Sequence, residues 1–169
     1  MRQFINDYVG QHQAVLARLP ECAEVIEAAA ESCVAALARG NKLLICGNGG
    51  SAADAQHFAA ELVGRFVADR PALTAIALTT DSSALTAIAN DYGYDAVFSR
   101  QVEGLAREGD VLVAISTSGN SPSVLAASDT ARALGCQVIG LTGRDGGALA
   151  LKSDVSVVAP AAETAHIQE

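Results

Sequence analysis

Short apolar segments alternate with helical segments along most of this chain. Five apolar segments are predicted as strands, at 42–46, 73–78, 111–115, 138–142 and 155–158. The first is apolar on both faces, which is typical of a central strand in a parallel sheet. The alternation of such strands with helices predicts an α/β fold, a three-layer α/β/α sandwich with a parallel sheet.

The other segments are predicted as helices. Residues 2–39 have helical spacing interrupted near Pro20, and further helices are expected from Ser51 to about Phe66 and over 83–90, 97–107 and 122–134. No linker, repeat or low-complexity segment divides the 169 residues, a length that suits one domain with a full core. We therefore predict a single domain over residues 1–169.

Charge and the distribution of apolar residues disfavour several classes of partner. Nineteen acidic residues against eleven Lys and Arg give a net charge of -8, which disfavours nonspecific binding to nucleic acid. No apolar run approaches the roughly 20 residues that span a membrane, and the first residues lack the apolar block of a signal peptide. The four cysteines have no C-x-x-C spacing and are expected to be free thiols. We expect a cytoplasmic protein with no nucleic-acid or membrane partner.

A glycine-rich loop follows the first strand and opens a helix. This loop, Gly47-Asn48-Gly49-Gly50-Ser51, suits an anion or phosphorylated ligand at a helix N-terminus. It matches neither G-x-G-x-x-G nor the P-loop pattern, so nucleotide binding is not indicated. Its glycines would let the backbone approach a ligand, with side-chain contacts from Asn48 and Ser51. The alternative is a tight strand-to-helix turn without a ligand.

A second polar loop, Ser116-Thr117-Ser118-Gly119-Asn120-Ser121, follows the third strand and is called the hydroxyl loop below. Hydroxyl and backbone N–H groups together can hold a phosphate where no Lys or Arg is present. The alternative is an ordinary serine N-cap, which needs only one serine. Because ligands bind at the carboxyl ends of parallel strands, loops 47–51, 79–82 and 116–121 are expected to converge there.

His57 and Glu61 lie four residues apart and share one face of the helix that follows Ser51. Glu61 could remove the proton alpha to a carbonyl, as aldose–ketose isomerisation requires. The pair could also hold a divalent metal with further ligands. The alternative is a solvated ion pair with no further role.

The chain ends with Thr164-Ala165-His166-Ile167-Gln168-Glu169. His166, Gln168 and Glu169 could act as ligands, or they could form the frayed beginning of a helix. Since a compact domain rarely ends where a helix begins, a truncated or missing C-terminal helix is expected.

Taken together, these segments resemble the sugar isomerase (SIS) domain family over essentially the whole chain. Within the family, the chain is similar to the branch that isomerises sedoheptulose 7-phosphate. The resemblance rests on Cys46–Ser51, His57–Leu62 with Arg65, Asn90-Asp91, Gly109–Ser121, Leu141–Gly143 and Ile167–Glu169. The hydroxyl loop alone would indicate only the broader family.

The resemblance implies a five-stranded parallel sheet, with the N-terminal helices used for oligomerisation, and a homotetramer with active sites at subunit interfaces. The implied reaction interconverts sedoheptulose 7-phosphate and D-glycero-D-manno-heptose 7-phosphate through an enediol. This product leads to ADP-heptose for the lipopolysaccharide core. A noncatalytic SIS protein of the DnaA initiator-associating type is the main alternative, and Glu61 favours the enzyme. A sugar-phosphate-sensing regulatory module is less favoured, since no DNA-binding segment is visible.

The resemblance also implies roles for individual residues. Glu61 corresponds to the base that moves a proton between C1 and C2. The phosphate is expected on the hydroxyl loop, and the sugar on the glycine-rich loop. The implied substrate-binding residues are Asn48, Gly49, Gly50, Ser51, Glu61, Asn90, Asp91, Ser116, Thr117, Ser118, Ser121 and Gln168. A zinc site seen in part of the family would take His57, Glu61 and Gln168.

Two features depart from the family pattern. The second catalytic histidine, which is also a metal ligand, is expected about two helical turns beyond Gln168, past the last residue of this sequence. His166 stands where relatives usually carry Arg, so contacts around the substrate are expected to differ.

Overall fold

A computed structural model describes all 169 residues and contains a five-stranded parallel sheet. The strand order is β2-β1-β3-β4-β5, and every neighbouring pair is parallel. All five predicted strands are present, and the third has the predicted bounds. The strands are β1 (Leu43–Gly47), β2 (Ala75–Ala77), β3 (Val111–Ile115), β4 (Gln137–Gly143) and β5 (Val155–Ala159).

Eight α-helices accompany the sheet. They are α1 (Arg2–Arg18), α2 (Ala23–Ala38), α3 (Gly50–Val63), α4 (Ser82–Tyr92), α5 (Ser99–Leu105), α6 (Pro122–Ala133), α7 (Gly147–Lys152) and α8 (Thr164–Gln168). Short 3-10 helices occupy Leu19–Cys22 and Tyr94–Ala96. Thus the interruption near Pro20 is confirmed. The sequence pattern does not predict α7, and α3 ends three residues before the expected Phe66.

Two apolar clusters lie on opposite faces of the sheet, as the three-layer prediction requires. Alternate residues of β1 divide between them, because side chains of a strand point to opposite faces. Leu44 and Cys46 pack under the helices α4 to α7, whereas Leu43 and Ile45 pack under α2 and α3. Complete burial raises the pKa of Cys46 to about 12, so this thiol stays protonated at neutral pH.

A buried ion pair fixes the amino ends of β1 and β3. Lys42 pairs with Asp110, whose side chain is 2% exposed. Asp110 also accepts hydrogen bonds from the backbone N–H groups of Lys42 (3.0 Å) and Arg107 (2.7 Å). Burial raises the pKa of Asp110, but these bonds outweigh it and hold the pKa below its ordinary value.

Helix α1 buries none of its residues, and Phe4, Ile5 and Val9 are exposed on it. The expected use of the N-terminal helices in oligomerisation stays a prediction. No helix is both long enough and apolar enough to cross a membrane.

Candidate active site

The hydroxyl loop is packed tightly against the segment that leads into α7. Gly119 has a φ of +66°, and a Cβ there would lie 2.0 Å from the carbonyl oxygen of Gly146. The N–H group of Leu149 donates to the Gly119 carbonyl at 2.9 Å. The loop is therefore held in one conformation at the carboxyl end of β3.

The serines of this loop do not act as a simple helix cap. Ser121 is the N-cap residue of α6, but its side chain makes no capping hydrogen bond. Its hydroxyl lies 3.0 Å from the hydroxyl of the buried Ser116 instead. Ser118 accepts a hydrogen bond from the Asn120 N–H at 3.2 Å. The alternative of an ordinary serine N-cap is therefore not what the structure contains.

Asn48 links the glycine-rich loop to the start of α6. Its side-chain N–H donates to Ser123 Oγ at 3.0 Å, and its Oδ1 accepts from the Tyr94 hydroxyl at 2.8 Å. Gly47 permits the sharp turn after β1, because a Cβ there would lie 2.8 Å from Ser51 Cβ. Asn48 thus ties the glycine-rich loop to the helix that directly follows the hydroxyl loop.

One face of α3 lines two neighbouring cavities. Ser51, Asp54, Phe58 and Glu61 follow one another at spacings of three and four residues, so they lie on one side of the helix. The first cavity, of about 270 Å³, is bordered by Ser51, Asp54 and Phe58, and the second, of about 590 Å³, by Asp54, Phe58 and Glu61. Asp54 and Phe58 border both cavities, which therefore adjoin.

The first cavity joins predicted residues from three distant segments. It is bordered by Ser51, by Thr117 of the hydroxyl loop and by Gln168 of α8. Ser51 Oγ donates to Gln168 Oε1 at 2.9 Å, while Gln168 Nε2 donates to the Asp54 carboxylate. Gly50 makes this approach possible, because a Cβ there would lie 2.9 Å from Gln168 Cδ.

The second cavity is bordered by Glu61, the predicted base, and by His57, a predicted metal ligand. His57 Nε2 lies 3.2 Å from Glu61 Oε1, and Glu61 is half-buried whereas His57 is exposed. The Arg70 guanidinium donates to the backbone carbonyls of Glu61 (2.8 Å) and Leu62 (2.9 Å), at the end of α3. A carboxylate with a histidine partner at a cavity wall can accept a proton from carbon.

Two of the three residues predicted as zinc ligands border the same cavity. His57 and Glu61 present two donor atoms to the second cavity. Gln168 borders the adjoining first cavity, and its amide is hydrogen-bonded to Ser51 and Asp54. The zinc site stays a prediction, and no chemical step is derived through zinc.

Asn90 and Asp91 lie apart from both cavities. They sit near the exposed end of α4, and Asn90 Nδ2 donates to Asp91 Oδ1 at 2.8 Å. Their predicted contact with the substrate stays a prediction.

The structure adds four residues that sequence reasoning missed. Asp54 and Phe58 connect the two cavities, and Tyr94 holds Asn48. Thr142 lines the first cavity with a buried hydroxyl that has no hydrogen-bond partner, so it can bond to a ligand. A signal existed for Asp54 and Phe58, because both share the helical face of Ser51 and Glu61.

A separate group of metal-ligating side chains lies between α1 and the end of the chain. His12, His166 and Glu169 each bring one donor atom within 4.8 Å of the other two. Of these residues, sequence reasoning had named His166 and Glu169 as candidate ligands.

The chain is similar in sequence and in fold to known proteins. Residues 7–143 match the SIS domain family. The chain is 58% identical over 159 residues to the phosphoheptose isomerase of Aliarcobacter butzleri, which covers 94% of this chain and 84% of the relative. It is 57% identical to the enzyme of that name from Solidesulfovibrio magneticus, over 99% of this chain and 82% of the relative. The solved phosphoheptose isomerase of Neisseria gonorrhoeae superposes with a TM-score of 0.94 at 47% identity, covering 99% of this chain and 90% of that one.

Proposed function

Because the chain belongs to the phosphoheptose isomerases of the SIS domain family, we propose that it interconverts sedoheptulose 7-phosphate and D-glycero-D-manno-heptose 7-phosphate. It is an aldose–ketose isomerase that acts on a sugar phosphate. Its product would serve the synthesis of ADP-heptose for the lipopolysaccharide core. A cytoplasmic location and a dependence on zinc remain predictions.

The observation that carries the proposal is the continuous face of α3. It leads from Ser51, beside the hydroxyl loop, to Glu61, a distance of about 15 Å along the helix axis. A phosphate held at the hydroxyl loop and a sugar lying along α3 would bring the reacting carbons toward the second cavity. One end of the site then binds the phosphate, and the other performs the chemistry.

In the proposed mechanism, Glu61 is the base. Its carboxylate removes a proton from C1 of the ketose and returns it to C2, while the hydroxyl proton moves from O1 to O2. His57, at 3.2 Å, holds the carboxylate in place. Thr117, Ser51 and the free hydroxyl of Thr142 are placed to bind substrate oxygens.

We further propose that the active enzyme is a homotetramer with its sites at subunit interfaces. The exposed apolar side chains of α1 support an interface there. Asn90 and Asp91 are exposed and lie outside their own subunit's cavities, so they would contact the substrate of a neighbouring subunit.

Glu61→Gln tests the proposal directly. We expect turnover of sedoheptulose 7-phosphate to fall by about 10²- to 10⁴-fold, because general base catalysis contributes that much. Binding, measured by calorimetry, should survive, since the amide keeps the shape of the side chain. Glu103→Gln on α5 is the matched control, as Glu103 is a surface residue paired only with Arg100.

Three outcomes would contradict the proposal in different ways. Full activity of Glu61→Gln would remove Glu61 from the mechanism. A native chain that binds the sugar phosphate without turnover would favour the noncatalytic alternative, in which the protein works by binding a protein partner. A native chain that neither binds nor turns over the substrate would overturn the assignment itself.

A further inference from the structure

Two histidines from opposite ends of the chain meet beside α8. His12 lies on α1, His166 on α8, and their ring centroids are 5.7 Å apart. His166 is 6% exposed, so it is more than nine-tenths buried. The Nδ1 atoms of both rings are buried, and neither has a hydrogen-bond partner. Two orphaned imidazole nitrogens at one place are unusual, because buried polar groups are nearly always paired.

A single hydrogen bond sets the tautomer of His166. Its Nε2 lies 3.2 Å from Gln11 Oε1, and an amide oxygen can only accept. Nε2 therefore carries the proton, which leaves a lone pair on Nδ1. A ligating histidine in a metalloprotein commonly donates its second ring N–H to an oxygen in this way.

A carboxylate completes the group. Glu169 Oε2 lies 3.8 Å from His12 Nδ1, and one donor atom of each of the three residues lies within 4.8 Å of the others. The Tyr8 hydroxyl donates to the same Glu169 oxygen at 3.4 Å. Two imidazoles and a carboxylate form a donor set that suits zinc and similar transition cations.

We propose that His12, His166 and Glu169 bind a divalent transition-metal ion of the zinc class. The ion would bridge α1 and α8 through His12 Nδ1, His166 Nδ1 and the Glu169 carboxylate, with solvent completing the coordination. The site is separate from the His57–Glu61 pair and does not depend on the proposed isomerase reaction.

The role of this ion is structural. Helix α8 has only five residues, and it places Gln168 against Ser51 and Asp54 in the first cavity. His166 and Glu169 are three residues apart and so share a helix face, while Gln168 points elsewhere. An ion on the α1 side would thus fix the helix that positions Gln168.

An ion pair between protonated His12 and Glu169 is the competing arrangement. It would satisfy His12 Nδ1, but it would leave the lone pair of His166 Nδ1 without a donor. A metal ion satisfies all three groups, and for this reason we favour it.

The test uses the whole chain, freed of metal with a chelator and titrated with Zn²⁺ by calorimetry. Co²⁺ serves as a spectroscopic probe of nitrogen and oxygen ligation. We expect one Zn²⁺ at this site, and any ion held at the His57–Glu61 pair would add a second binding event. His12→Asn and Glu169→Gln should each weaken binding at this site by more than about 10-fold, and Gln11→Ala by about 10-fold, since loss of an outer partner typically costs 10- to 100-fold. His57→Asn removes a predicted ligand at α3 and should leave the Zn²⁺ of this site bound.

Hydrogen exchange gives a second readout. Zn²⁺ should slow amide exchange in residues 164–169 of the native chain and leave it unchanged in His12→Asn. Failure of the native chain to bind Zn²⁺ at micromolar concentration would overturn the proposal. Loss of binding in His57→Asn with full retention in His12→Asn would also overturn it, because the ion would then lie at α3. Glu169→Gln changes an exposed side chain, so the test does not depend on a variant that fails to fold.

Discussion

Replacing Gly119 with alanine should loosen the hydroxyl loop, because the added methyl group has no room. Gly119 has a φ of +66°, and its Cβ would lie 2.0 Å from the Gly146 carbonyl oxygen and 3.0 Å from Gly147 Cα. A left-handed conformation alone costs a residue with a Cβ about 1–2 kcal/mol. The contact with backbone adds to this cost, since a backbone segment cannot rotate aside as a flexible side chain can.

The added methyl group would push the hydroxyl loop away from the segment that leads into α7. The additional loss of stability follows from the hydrogen bonds that this separation would break. The Leu149 N–H donates to the Gly119 carbonyl at 2.9 Å, and the Ala148 N–H donates to Asn120 Oδ1 at 3.1 Å. Each such bond contributes about 1 kcal/mol. Together with the conformational term, the free energy of unfolding should fall by about 3–4 kcal/mol.

Gly40→Ala is the matched control for this substitution. Gly40 has a φ of +84°, but no atom lies within 4 Å of its added Cβ, so only the conformational cost of about 1–2 kcal/mol applies. Urea denaturation measures both variants, and the KM for the sugar phosphate should rise in Gly119→Ala alone. If the two variants lost free energies of unfolding that differ by less than about 0.5 kcal/mol, the packing argument would be refuted, because even independent substitutions add only to within about that margin.

Two further substitutions test the ion pair and the hydroxyl loop. Asp110→Asn should lower the free energy of unfolding at pH 7 by about 3 kcal/mol, because it leaves Lys42 without its buried partner. The pKa of Asp110 is lower in the folded chain than in the unfolded chain, so the ionised carboxylate stabilises the fold above the unfolded pKa of about 3.9. This stabilisation is lost as pH falls through the folded pKa. The free energy of unfolding of Asp110→Asn, measured in urea, should therefore vary less over that pH range. Ser118→Ala should raise KM with little change in kcat, since a phosphate contact acts equally in ground and transition states; an unchanged KM would contradict the phosphate assignment.

Sequence patterns predict the sheet well because its strands are short, apolar and separated by helices. Sequence patterns predict the ends of strands and the presence of short helices less well. The expected strand 73–78 is a regular strand only over Ala75–Ala77, although backbone hydrogen bonds of Thr74 and Leu78 also reach β1. The α7 helix escapes prediction because it has six residues and opens at Gly146 and Gly147, which have positive φ and are typical of a loop.

In the candidate site, contacts within one helix can be predicted from the sequence, whereas contacts between distant segments cannot. The His57–Glu61 contact follows from helical spacing alone, and the structure contains it at 3.2 Å. The contacts of Gln168 with Ser51 and Asp54 span more than 110 residues, and no local pattern predicts them. The same applies to the meeting of His12 with His166, which depends on how α1 returns to α8.

Phosphate recognition by a protein of net charge -8 has a physical consequence. The hydroxyl loop contains no Lys or Arg, so an anion bound there would interact with oriented hydroxyl and N–H dipoles. Such dipoles act at hydrogen-bond distance, whereas the repulsion between an acidic surface and a phosphate acts over longer distances. Salt screens the longer-range term, with a Debye length of about 8 Å at physiological ionic strength. A rise in ionic strength therefore weakens the repulsion more than the binding contacts, unlike a site built from arginine, where salt weakens the attraction itself.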